Sequence, residues 1–280
     1  MSIPTFPHLQ LGDVSVTALS DGYLATGLEI LSPIAAADAL QMQQAARVLQ
    51  PSAVHINCYV VRIGGRTVLI DAGAGGFRDG AGRLRGNLAS AGLQPAQIDA
   101  VLLTHAHPDH VGGLIEASGD AAFPNAELLV QRREVGFWQD DANLSRAPAR
   151  ARGNFLLARQ VFAAYRDRLR RFDDGEILPG MHALPLPGHT AGHTGYRLDS
   201  GGRGLLVWGD IVHFPDIQIP RPDVAVVFDH DPQLATATRA ALLDLVSAER
   251  LPIAGMHLRE TGFAHIERRG TGYAIANVRS

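Results

Sequence analysis

The sequence predicts an α+β fold in which β-sheets pack face to face under a cover of helices. Three observations carry that expectation. A β-rich first hundred residues gives way to a helical stretch at residues 132–172; a second β-rich region follows, then a helix and a strand. This blocked order suits covered sheets better than a regular strand–helix alternation. The apolar runs of the β-rich regions are short and bounded by turn residues. Histidine and aspartate recur directly after such runs, where the edge of a sheet would gather them.

Taken in order, residues 14–19 alternate between apolar and polar as a half-buried strand does. Residues 54–63 and 67–70 flank Gly64-Gly65 and read as a hairpin. Between these strands, residues 35–49 have helical composition with little β-branching. Residues 99–104 form a continuous apolar strand, and a helix is expected to open at Val111. The stretch 132–172 is rich in arginine and aromatics, including Phe137, Trp138, Phe155, Phe162 and Tyr165, which default to core packing. Within it the arginine run 166–171 reads as a solvated helix face. Strands return at 182–186, 195–198 and 204–208, followed by a helix at 233–248 and a last strand at 253–256. No internal repeat interrupts this order. One domain over residues 1–280, with a helical insertion at about 132–172, is the simplest organisation.

Composition excludes several functions. A chain of 280 residues, 46% hydrophobic and 19% charged, buries a sizeable core. A net charge of -3 supplies no positive field for nucleic acid. All 25 basic residues are arginine, so no Schiff-base lysine, phosphate-loop lysine or Ser-Lys dyad exists here. The single Cys58 cannot pair internally, and its apolar surroundings make it a small core residue rather than a nucleophile. The N-terminus shows neither a basic stretch nor an apolar core, and no apolar run of about 18 residues occurs. A cytoplasmic protein without membrane contact is the expectation.

The chemistry is concentrated in His105-Ala106-His107-Pro108-Asp109-His110. Imidazole nitrogens and a carboxylate packed this tightly can divide between two metal ions. A chance occurrence is expected in roughly one chain of this composition in a thousand, so the run is treated as a site. Three further groups stand after apolar runs: His189 and His193 in Pro-Gly-His-Thr-Ala-Gly-His, Asp210 in Trp-Gly-Asp, and His257 in Ala-Gly-Met-His. Any one alone reads as structural. Together with the dense run they converge on one sheet edge.

In this ordered set, with Asp71-Ala72-Gly73 after the strand 67–70, the chain resembles the metallo-β-lactamase superfamily from about Asn57 to about His257. Within it the nearest likeness is the branch of acyl-homoserine-lactone lactonases and methyl-parathion-hydrolase-like enzymes. The resemblance implies a four-layer αββα sandwich with two divalent ions at one sheet edge, zinc first, with manganese, iron or cobalt as alternatives. His105, His107 and His189 would hold one ion, Asp109, His110 and His257 the other, and Asp210 would bridge them. Asp71 and His193 would stand beside these ligands rather than among them.

The implied reaction is attack by a metal-bridging hydroxide on a small ester-like substrate, a lactone first. Phosphotriester hydrolysis, a glyoxalase-II-like thioesterase and, from another class, a single-iron persulfide dioxygenase are the alternatives. Asp109 and His213 are the candidate catalytic side chains. His213 stands where the lactonases carry a substrate-contacting tyrosine; it would donate to substrate or act as general acid, unless it is a solvent-facing loop residue. Phe214, Trp138 and Phe155 are the candidate substrate contacts. His8, His55, His182, His230 and His265 read as structural or exposed. A small molecule is the expected partner, neither nucleic acid nor membrane is, and a homodimer stays open.

Overall fold

The computed structural model describes residues 6–77 and 79–276. The first half runs β1 (His8–Leu11), β2 (Val14–Ala25), β3 (Leu31–Ser32), α1 (Ala36–Ala45), β4 (Ala53–Ile63), β5 (Arg66–Ile70), α2 (Leu84–Ser90), β6 (Ala100–Leu102), α3 (Pro108–Val111), β7 (Glu127–Gln131), α4 (Arg132–Gln139), α5 (Asp141–Arg146), α6 (Ala149–Ala164) and β8 (Leu169–Phe172). The second half runs β9 (Gly175–Leu178), β10 (Met181–Pro185), β11 (Thr194–Ser200), β12 (Arg203–Val207), α7 (Pro215–Gln218), β13 (Ala225–Val226), α8 (Pro232–Ala248), β14 (Ile253–Ala254), β15 (Phe263–Arg269) and β16 (Gly272–Ala276). One seven-stranded sheet has the order β1-β2-β4-β5-β6-β7-β8, and a second has β16-β15-β14-β12-β11-β10-β9. The strands β3 and β13 form a small separate ribbon.

Side-chain alternation along the strands builds the layers. Leu69, Val101, Leu128 and Val130 pack with Leu88 of α2, Val111 of α3 and Val161 of α6. Their strand neighbours Val68, Ile70, Leu102 and Leu129 pack instead with Met181, Tyr196, Leu205 and Val207 of the second sheet. On the far face of that sheet, Leu206, Ile253 and Ile266 meet Leu242, Leu243 and Val246 of α8. Each such aliphatic side chain, fully buried, contributes roughly 1.5–3 kcal/mol relative to exposure. Helix, sheet, sheet, helix is the four-layer arrangement expected from the sequence.

Several boundaries differ from expectation. The first long strand continues to Ala25, because its pairing with β4 resumes past an irregularity between Ser20 and Gly22. The helix expected at Val111 begins at Pro108, inside the histidine run, where proline's fixed φ suits a first helical position. It lasts a single turn before tightening into a 3₁₀ turn at Gly112–Leu114. The arginine run is exposed at Arg166, Arg170 and Arg171 but forms a turn and the edge strand β8, not a helix face. The strand after α8 is not the last, since β15 and β16 follow it and complete the second sheet. Among the described residues, no helix is long and apolar enough to cross a membrane.

Register explains why the functional groups gather. β5 and β6 run parallel with Ile70 opposite Leu102, and β12 and β14 run parallel with Val207 opposite Ala254. Three residues beyond Leu102, Val207 and Ala254 stand His105, Asp210 and His257. Both sheets therefore deliver their side chains to one edge, held by the strands behind them.

Candidate metal centre

Two groups of side chains meet at that edge around Asp210, and His189 and Asp210 form a third, overlapping group with His213. In the first, His107 Nδ1 lies 3.0 Å from both His105 Nε2 and His189 Nε2. In the second, His110 Nε2 and His257 Nε2 lie 3.6 and 3.5 Å from Asp109 Oδ2, and 3.2 and 3.1 Å from Asp210 Oδ2. Asp210 Oδ2 also approaches the first group, at 3.7 Å from His105 Nε2 and 3.5 Å from His189 Nε2. Ligand atoms around a tetrahedral ion held at about 2.05 Å stand about 3.3 Å apart. The spacings in both groups match that edge length. His110 Nε2 and Asp210 Oδ1 are moreover buried without a hydrogen-bond partner. Nitrogen and carboxylate donors with unspent lone pairs, aimed at shared points, fit two divalent cations.

The far sides of the rings are anchored, which sets which nitrogen faces inward. His257 Nδ1 donates to the carbonyl of His55 at 2.7 Å, leaving Nε2 for the centre. His189 Nδ1 lies 2.8 Å from Asp229 Oδ1, and the other oxygen of Asp229 accepts from Val226 N at 3.0 Å. His110 Nδ1 lies 2.6 Å from Asp71 Oδ2, while Asp71 also accepts from Thr104 N and Thr104 Oγ1. His193 stands outside both groups, as expected. Its Nδ1 donates to the Leu186 carbonyl and its Nε2 accepts from Asp210 N at 2.9 Å. That approach requires glycine at 209, which has φ +60°; a Cβ there would meet His193 Nε2 at 2.3 Å.

The electrostatics of the two groups differ. Burial holds His105, His107 and His189 well below the usual imidazole range, so they are neutral at pH 7. Burial acts the same way on His110 and His257, but the carboxylates of Asp210 and Asp109 outweigh it and raise both. The attraction of His110 and His257 in turn lowers Asp109 and Asp210 despite burial.

A cavity of about 510 Å³ opens onto the centre, lined by His107, Asp109, His189, Asp210, His213 and His257, with Leu24, Ile30 and Phe228 on its apolar side. A second cavity of about 390 Å³ shares His107, Arg150, Asn154 and Phe228 with it, and is walled by Phe137, Trp138, Phe155 and His230. The structure thus brings Trp138 and Phe155 next to the centre. It also settles the position of His213, which is buried rather than solvent-facing, with Nε2 3.2 Å from Asp210 Oδ2 and its ring stacked on His257. Phe214 departs from expectation. Its N–H and that of His213 both donate to Gln218 Oε1, and the turn sends the phenyl ring into a cluster with Leu28, Leu31 and Val54, off both cavity walls. Sequence reasoning missed Asp229 and Glu134, whereas Asp71 stands beside the ligands as expected, on His110. Asp229 had a weak signal, because it follows the apolar run Val224-Ala225-Val226-Val227-Phe228.

An αββα sandwich with a buried histidine and aspartate cluster at one sheet edge is the architecture of the metallo-hydrolases. Residues 52–257 match the Metallo-beta-lactamase superfamily, and the chain belongs to it. Among solved structures, it is similar to the hydrolase AbOPH of the beta lactamase superfamily, with 31% identity, TM-score 0.92, and 100% of this chain and 99% of that one covered. It is also similar to AidC, a dizinc quorum-quenching lactonase solved with a homoserine product, with 25% identity, TM-score 0.92 and 99% of each chain covered. Of curated relatives, YobT of Bacillus subtilis strain 168 is 28% identical over 160 residues, 57% of this chain and 63% of YobT. An N-acyl homoserine lactonase of a Bacillus species is 25% identical over 120 residues, 43% of this chain and 40% of the lactonase. The chain therefore spans less than two thirds of the length of either curated relative.

Proposed function

We propose that this chain hydrolyses a small ester-like substrate, a lactone first, with two divalent ions, zinc first, held by His105, His107 and His189 and by Asp109, His110 and His257, with Asp210 shared. The carrying observation is the pair of donor groups meeting at Asp210 on the floor of the 510 Å³ cavity. When bound, such a pair supplies an activated water and a Lewis acid for the acyl oxygen. The chain's own residues do the rest. Asp210 and Asp109 bring the negative charge that two cations require, and the anchored imidazoles keep the donors fixed so that nothing reorganises during the reaction. His213 is the best-placed side chain to hydrogen-bond a substrate oxygen or protonate a leaving alkoxide, because it lines the cavity within 3.2 Å of Asp210. Trp138, Phe155 and Phe228 offer an apolar wall to an acyl chain, and Arg150 and Asn154 are polar anchors where the two cavities join. Likeness to AidC supports the lactone over other esters.

A thioesterase is the second reading, favoured by 34% identity over 119 residues to a hydroxyacylglutathione hydrolase of Aeromonas hydrophila, a match covering 33% of that protein. The deciding experiment assays the zinc-loaded protein against acyl-homoserine lactones of graded chain length and against acyl-glutathione thioesters, following acid release. Lactone turnover that varies with chain length is expected. Turnover of thioesters alone, or uptake of oxygen by a protein holding a single iron, would overturn the lactonase reading.

A further inference from the structure

Glu134 lies in the first turn of α4, fully buried, and touches neither cavity. Its Oε1 accepts from Ala106 N at 2.9 Å and from Trp138 Nε1 at 2.7 Å. Its Oε2 accepts from Thr190 Oγ1 at 2.7 Å and from Gly192 N at 2.8 Å. Ala106 is the residue between His105 and His107, and Thr190 directly follows His189. One oxygen therefore grips one ligand-bearing loop, and the second oxygen grips the other, across the 82 residues that separate His107 from His189.

The chemistry requires a carboxylate. Four donors converge on one side chain, and only an ionised carboxylate accepts at both of its ends. Glutamine, the isosteric replacement, would turn an amine toward one pair of donors and leave that loop unheld. Packing gives an independent sign of the same contact. A Cβ on Gly192 would stand 2.4 Å from Glu134 N, so the His189 loop rests directly against the backbone of α4.

Resting on the two-ion reading above, we propose that Glu134 is a positioning residue for the His105, His107 and His189 group. It sets the distance between the two loops that supply those imidazoles, and so the affinity of that ion site. The group of Asp109, His110 and His257 receives no contact from it. Through Trp138, the same carboxylate fixes one wall of the smaller cavity.

The test is a metal titration of the full-length chain, stripped by a chelator and reloaded with zinc in competition with a chromophoric chelator. Cobalt(II) spectra serve as a second readout of coordination. The wild-type chain is expected to take two ions. E134Q should keep one at wild-type affinity and hold the other at least tenfold more weakly, with a loss of cobalt absorption from one site only. T190V, which removes one of the four donors, should weaken the same ion by a smaller factor; it carries the test if E134Q does not fold. KM should rise in E134Q, because the Trp138 wall loosens with it. Two outcomes overturn the role of Glu134 alone: both ions retained at wild-type affinity in both variants, or both weakened by one common factor, as a general loss of stability would produce. A wild-type chain that takes fewer than two ions overturns the two-ion reading itself, and this inference with it.

Discussion

The contact between His189 and Asp229 offers the sharpest test of how the first group is built. Asp229 spends both oxygens, one on His189 Nδ1 at 2.8 Å and one on Val226 N at 3.0 Å. Replacing it by asparagine keeps the shape and leaves two choices, each with a cost. If the amide oxygen stays on the imidazole, the NH₂ faces the N–H of Val226, donor against donor. If the amide turns over, His189 must accept at Nδ1 and carry its proton on Nε2, the atom 3.0 Å from His107 Nδ1 that has to ligate. A buried donor left without an acceptor costs about 1–3 kcal/mol. Loss of the carboxylate behind a ligating histidine costs roughly 10–100-fold in metal affinity, or about 1.4–2.8 kcal/mol. The two routes agree in size. Zinc competition with a chromophoric chelator should therefore show one of the two ions held 10–100-fold more weakly in Asp229→Asn, with the other unchanged. If Asp229→Asn and Asp229→Ala both hold two ions as tightly as the wild-type chain, Asp229 does not orient a ligand and the reasoning fails.

Three other perturbations act elsewhere. Asp210→Ala removes the one carboxylate both groups approach; metal analysis should show at least one ion lost and hydrolysis abolished, and full activity with two ions bound would refute the shared position. In the metal-free chain His110 and His257 are raised by the surrounding carboxylates. A raised imidazole stabilises the metal-free fold below its unfolded pKa and loses that contribution as pH rises through the folded value. The bound ion competes with the same protons, so zinc uptake near pH 7 should release them into an indicator dye, and affinity for one ion should weaken as pH falls. A pH-independent affinity for both ions would refute it. Arg239→Met strips a buried donor from the carbonyls of Ile211 and Pro222, since Val224 O keeps Gln218. That should cost about 2–4 kcal/mol in urea unfolding of the metal-free chain, and a loss under 1 kcal/mol would count against it.

Different parts of this site were legible in the sequence for different reasons. The run from His105 to His110 stood out because its chemistry is dense, and His189, Asp210 and His257 because each follows an apolar run. The blocked order of strands and helices gave the layers. What could not be read is what tertiary structure alone brings together. Asp229 meets His189 from 40 residues away, and Glu134 meets Gly192 from 58. Neither pairing has a local pattern. β7 was missed because the short run Glu127–Gln131 passes directly into the helix at Arg132, and β8 because the arginine-rich Leu169–Phe172 shares the polar composition of the helical stretch before it. Phe214 shows a subtler failure. Adjacency to His213 says nothing about direction when a turn capped by Gln218 sends consecutive side chains to opposite sides.

The two donor groups are supported by different means, and this has a physical consequence. The first is neutral, and carboxylates behind it hold it from outside: Asp229 on His189, and Glu134 on both loops. The second carries its charge within, between His110, His257, Asp109 and Asp210. Asp210 belongs to both, and its place is set by main chain more than by side-chain packing. His193 takes its N–H, Gly209 supplies the positive φ, and Arg239, pushed down to about 10 by burial, secures the next carbonyl at Ile211. A buried guanidinium bonded to carbonyls alone is an expensive device unless the turn it holds must not move. The turn carries Asp210 at one end and His213 at the other. Rigidity is therefore concentrated where the carboxylate common to both groups and a cavity-lining imidazole stand 3.2 Å apart. The cavity beyond them is walled instead by side chains, Trp138, Phe155 and Phe228.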